Sequence, residues 1–157
     1  MKTKDDRIRV YRKAAYVAFS DEVGEIAIQV GRPAPQLDKL LRSKGLKTAA
    51  LVTAYNPRGQ VLSAKENSLR QRELVRTMRA LRYAWIEAEG RDAAGLWMPE
   101  RSVLIFGIDR FTAIRFGQEF GQPAIVFCTL GKPCTLVRSP GPSARDKTGS
   151  PTRPLLW

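Results

Sequence analysis

The chain has no histidine among its 157 residues, and only two cysteines. The first absence removes a large block of chemistry. Neither a Ser-His-Asp nor a Cys-His relay can be built. The side chain that ordinarily titrates near neutral pH is missing as well. A structural zinc site needs three or four nitrogen and sulfur ligands, so it is all but excluded, and no metal is expected. Cys128 and Cys134 lie six residues apart across an apparent hairpin turn. A disulfide fits that spacing, but in a cytoplasmic setting both thiols stay reduced and pack as small hydrophobes.

Other absences narrow the field further. No apolar run is long enough to span a bilayer. The charged start, Met1 to Asp6, leads into no apolar stretch, so no secretory leader is expected and the cytoplasm is the expected compartment. No Gly-rich phosphate loop of the Walker type, dinucleotide fingerprint or nucleophile elbow appears. No cofactor is implied. Any catalysis would rest on carboxylates, Lys, Tyr or Cys.

What is abundant is positive charge. Lys and Arg total 27 against 15 Asp and Glu, a net of +12. That field suits polyanionic partners or small anions, and it also serves solubility. The excess is spread along the chain: +5 over residues 1–50, +4 over 51–137 and +3 over 138–157. This spread weakens the case for a dedicated nucleic-acid surface.

Hydrophobic periodicity predicts an α+β fold. Residues 1–13 read as a frayed start leading into a strand over 11–19. Residues 24–30 alternate Ile26, Ile28 and Val30, so the two segments predict a hairpin. Pro35 to Lys44 predicts a short helix stopped by Gly45. Thr48–Tyr55 has no polar alternation, which predicts a strand buried on both faces. Ser63 to about Leu81 is the longest helix, and Ser63 with Glu66 has capping-box spacing. Strands follow over 82–89 and 102–107, then a helix from Asp109 to about Phe120, then strands over 124–129 and 134–137.

From Thr48 to Thr129 the order is β-α-β-β-α-β, which predicts a ferredoxin-like (split βαβ) core with an N-terminal β-hairpin and short helix. A mixed sheet with helices on both faces is the alternative. Residues 1–138 are expected to form one domain. Residues 139–157, rich in Ser, Pro, Gly and basic groups, are expected to form a disordered C-terminal tail.

Four blocks stand in order along the chain: Thr53-Ala54-Tyr55-Asn56-Pro57; Glu66-Asn67 with Arg70; Trp97-Met98-Pro99-Glu100 with Ser102; and Phe116-Gly117 with Phe120-Gly121-Gln122 and Ala124. Together they resemble the bacterial family catalogued as domain of unknown function 3293, from about Tyr11 to Val137. Tyr55 stands where that family usually has Trp, and Pro123 where it usually has Asn. The resemblance implies no activity.

The long helix gives the sharpest clue. Leu74, Val75, Met78 and Leu81 form one apolar stripe at helical spacing. Extended backward, that stripe passes through Gln71 and Asn67, with Arg70 at its edge. An unpaired buried amide costs about 1–3 kcal/mol, so these inward polar groups must meet partners or line a cleft. Asn56 and Arg58 should lie nearby, in the loop before the helix. A ligand-binding cleft of Asn56, Asn67, Arg70, Trp97, Glu100, Ser102 and Gln122 is therefore expected, suited to a small anionic or nucleotide-like ligand. Glu66 and Glu100 are weaker candidates for acid/base catalysis. On the opposite face, Lys65, Arg72, Arg76 and Arg79 form a basic stripe that suits nucleic acid or simple solvation.

Each of these residues also has a purely structural role open to it. Asn56-Pro57 can be a turn, Glu66 a capping partner, and Asn67 a tie to the neighbouring loop. Arg70 can pair with Glu66 or Glu100. Trp97 can fill a core edge, and Gln122 can satisfy backbone groups at a helix end. The residues leave the substrate and the oligomeric state open.

Overall fold

The structure, a computed structural model, describes residues 4–92 and 98–141. The expected tail from residue 142 onward, and Trp97, lie outside the described residues. The elements in chain order are α1 (Lys4–Lys13), β1 (Ala15–Ser20), β2 (Gly24–Ile28), α2 (Pro35–Lys44), β3 (Thr48–Val52), α3 (Ala64–Ala80), β4 (Trp85–Arg91), β5 (Glu100–Phe106), α4 (Arg110–Glu119), β6 (Ala124–Thr129) and β7 (Thr135–Arg138). Among the described residues, seven strands form one sheet in the order β2-β1-β4-β5-β3-β6-β7. Every neighbouring pair is antiparallel. The two ends of this order approach each other. Gly31, just past β2, donates to the Cys134 carbonyl at 2.8 Å, and Cys134 donates back to Arg32 at 3.2 Å. The sheet therefore curls.

The run Ala49-Ala50-Leu51-Val52 explains why β3 sits in the middle. All four side chains are buried, two toward each face. Ala50 and Val52 join Leu74 and Met78 of α3 and Ala113 and Phe116 of α4 in one core. Ala49 and Leu51 join Leu37, Leu40 and Leu41 of α2 in the other, inside the curl. Burying one such Leu is worth about 1.5–3 kcal/mol, so both faces of this strand hold the fold together.

Three sequence expectations change. Residues 4–13 are a helix, not a frayed approach to a strand. Ile8 and Tyr11 are three apart and share a helix face, Ile8 is buried, and the Ala14 amide closes the last turn on the Val10 carbonyl at 3.0 Å. Strand β4 begins at Trp85, because Arg82 and Tyr83 still bond back to Arg79 and Met78 and finish the α3 terminus. Ser139, placed at the start of the tail, is buried. Its amide donates to the Pro123 carbonyl at 2.9 Å and its hydroxyl to the Gln122 carbonyl at 2.6 Å. Helix α2 and strand β6 have the expected limits.

Candidate functional site

The candidate residues gather at one end of the sheet, where β3 ends, α3 starts, β5 starts and the α4–β6 turn passes. The loop from Thr53 to Leu62 ties these elements together. Thr53 Oγ1 donates to the Arg101 carbonyl at 2.6 Å and accepts from the Tyr55 amide at 3.1 Å. Asn56 then takes a left-handed conformation, φ 46° and ψ 59°. Asn tolerates that region better than most residues because its short side chain bonds locally. Arg58 takes it too, at φ 55°.

Asn56 and Asn67 are reciprocal partners. The Asn56 amide donates to Asn67 Oδ1, and Asn67 Nδ2 donates back to Asn56 Oδ1, both at 2.9 Å. Asn56 Oδ1 also accepts from the Leu62 amide at 3.0 Å, and Asn56 Nδ2 donates to Glu100 Oε1 at 2.8 Å. One side chain thus joins the loop, the first turn of α3 and the first residue of β5. Ser63 caps α3 by accepting from the Glu66 amide at 3.1 Å. The Glu66 side chain is exposed, outside the cluster.

Arg70 pairs with neither expected carboxylate. Its Nε donates to the Ala54 carbonyl at 2.8 Å and its Nη2 to the Phe120 carbonyl at 2.7 Å. Gln122 Nε2 reinforces the same clamp, donating to the Tyr55 carbonyl at 2.9 Å and to that of Phe120 at 3.2 Å. The Arg58 amide donates to the Gly121 carbonyl at 2.7 Å. Gly121 has φ 70°, and a Cβ there would sit 2.7 Å from Pro57 Cβ, so only glycine fits this crossing. Burial lowers the Arg70 pKa, and the nearby charge of Arg58 lowers it further. Gln71 Oε1 accepts from the Ala54 amide at 3.1 Å, while its buried Nε2 has no partner among the described residues.

Glu100 lies across the loop from Arg70, on the sheet face that carries Leu51 and Leu104. The strand registers place Tyr16, Gly90 and Glu100 on one rung. The Tyr16 ring lies over Gly90, where a Cβ would meet it at 3.4 Å. Tyr16 donates to the Tyr11 carbonyl at 3.2 Å. Burial pushes the Glu100 carboxyl above its usual range, and the Asn56 donor opposes part of that rise. Burial raises the Tyr16 phenol strongly, with Tyr11 and Glu100 adding to it. A narrow cavity of about 20 Å³, room for about one water, is lined by Tyr11, Tyr16, Thr53, Ser102 and Gln122 among others. Ser102 is buried, with its hydroxyl 3.4 Å from the Glu100 carbonyl.

Asn56, Asn67, Arg70, Glu100, Ser102 and Gln122 are therefore brought together, and Trp97 lies outside the described residues. Most of their polar atoms bond to the loop or to each other. Gln71, Thr53, Tyr11 and Tyr16 complete the cluster beyond the expected cleft residues. The helical stripe pointed to Gln71, but only strand order brings Tyr16 here.

Lys65, Arg72, Arg76 and Arg79 are all exposed along the outer face of α3. Arg76 forms a surface pair with Glu73 at 3.4 Å. Among the described residues, no group of three or more His, Cys, Asp or Glu is placed to hold a metal. No helix among them is long and apolar enough to cross a membrane.

Residues 52–125 match a family model described as "Protein of unknown function (DUF3293)". The resemblance carried by the four motif blocks is thus confirmed over that segment. The match holds Asn56, Asn67, Arg70, Glu100 and Gln122, and stops short of Tyr16 and both cysteines. No curated protein and no solved structure matches the chain.

Proposed function

We propose that this protein is a binding domain for a small anionic, nucleotide-like ligand, received where Arg58 and Arg70 meet at the start of α3. One observation carries the reading. The Arg70 guanidinium rests on two neutral carbonyls, no carboxylate among the described residues pairs with it, and a second guanidinium lies nearby. The two carbonyls accept from Nε and Nη2 but leave the charge uncompensated. A phosphate or carboxylate between two arginines would offset that charge and gain charge-assisted hydrogen bonds. Asn56, Asn67 and Gln122 act as positioning residues, since their amides already hold the loop. The ligand is tested by thermal shift with inorganic phosphate, pyrophosphate and a nucleoside triphosphate. Stabilisation that grows with anion concentration supports the reading, and a flat response refutes it.

The core over residues 48–129 supports a ferredoxin-like reading. Its strands lie in the order β4-β5-β3-β6, and the core between the sheet and the helices draws on both α3 and α4. Fold alone assigns no ligand.

A second reading is nucleic-acid binding through Lys65, Arg72, Arg76 and Arg79, favoured by the exposure of all four on one helix face. A phosphate-driven complex loses affinity steeply between low and moderate salt. Absence of any gel shift with RNA or DNA at low salt removes this reading. The third is acid catalysis by Glu100, whose raised pKa and neighbouring cavity suit a proton donor. Turnover that survives Glu100→Gln removes it.

A further inference from the structure

The β6–β7 register pairs Phe127 with Thr135. One step toward the turn, Cys128 and Cys134 stand directly opposite each other. Both are free thiols, buried at 2% and 1% exposure. The two thiols act on each other: their contact holds the Cys128 thiol above its usual range and draws the Cys134 thiol below it. Residues directly opposed in an antiparallel pair have Cα atoms roughly 4.5–5.5 Å apart, inside the range of roughly 4.4–6.8 Å that a disulfide spans. That spacing is compatible with a disulfide between the two sulfurs. The same hairpin closes the curl of the sheet, through the bonds between Cys134 and Gly31 and Arg32.

We propose that Cys128 and Cys134 form a reversible dithiol–disulfide site, oxidised by a low-molecular-weight disulfide. The Cys134 sulfur, which adjoins the exposed turn, attacks one sulfur of the reagent as its thiolate. The reagent S–S bond breaks, a mixed disulfide forms on Cys134, and one reagent thiolate leaves. The Cys128 sulfur then attacks Cys134 Sγ, closes the internal disulfide and expels the second reagent thiolate. The protein loses two electrons and two protons, and the reagent gains them as two thiols. Entry is through the turn, whose residues Gly131, Lys132 and Pro133 are exposed.

The test uses the full folded chain, incubated with oxidised glutathione, acid-quenched, denatured and treated with N-ethylmaleimide before intact-mass measurement. The expected product is a monomer that has lost two hydrogen atoms and takes up no maleimide, with both thiols recovered on reduction. Cys128→Ser should stop at a glutathione adduct on Cys134. Circular dichroism under the same conditions confirms that the chain stays folded. Oxidation only after unfolding in urea, or only as linked dimers, overturns the proposal. So does a native chain that keeps two alkylatable thiols at every glutathione ratio.

Discussion

The two halves of α3 bury the same face and do opposite work. In the C-terminal half, Leu74 and Met78 enter a core of strand and helix side chains. In the N-terminal half, Asn67 and Gln71 are also buried, yet they meet backbone amides and the Asn56 side chain. The apolar half supplies burial energy and is indifferent to detail. The polar half supplies geometry: it fixes the loop that carries Asn56 and Arg58 and sets it against the α4–β6 turn. A helix that changes chemistry along one buried face marks the place where the fold gives up apolar packing to position groups.

Substitutions can break this contrast. Leu74→Ala should have the largest effect on stability, about 3 kcal/mol, since a fully buried Leu leaves a cavity. Its response to anions, read by thermal shift, should be unchanged. Asn67→Ala should cost about 2 kcal/mol, because it strands the Asn56 amide and removes a reciprocal pair. Denaturant unfolding measures the cost, and here the anion response should fall along with stability.

Glu100 sharpens the contrast through pH. Its folded-state pKa lies above the ordinary 4.5, so the folded chain holds this proton more tightly than the unfolded chain. The stability it contributes is complete below the ordinary value and is lost as pH rises through the folded value. Glu100→Gln should therefore flatten the decline in melting temperature on going upward from pH 4.5. It should keep the Asn56 contact, because the amide oxygen still accepts. An identical pH slope in wild type and variant would show that burial does not act on this carboxyl. Gln71→Met should have the smallest effect, about 1 kcal/mol, because the cost of stranding the Ala54 amide is partly offset by removal of the unpartnered Nε2.

How much of this was legible follows from the range of each signal. The inward polar groups of α3 were visible because helical periodicity is local. So were the Ser63 cap and the apolar run Ala49 to Val52 of β3. The partners of those groups were not. Arg70 adjoins two acidic candidates in the sequence pattern, but the crossing of Gly121 over Pro57 offers it carbonyls instead. The Asn56–Asn67 exchange depends on a left-handed Asn56, which residue type permits but does not require. Tyr16 reads as an ordinary strand residue. It reaches Glu100 only because β1 pairs with β4 and β4 with β5. Helix α1 was missed because one short run of charges hid the spacing of Ile8 and Tyr11.

The most direct test of anion binding is a calorimetric titration of pyrophosphate into the wild type and into Arg58→Gly. Glycine accepts the left-handed backbone at this position, so the variant keeps the loop's backbone path. Saturable one-site binding to the wild type, lost in Arg58→Gly, is the predicted result. Equal affinity in the two proteins, or no heat in either, would contradict it.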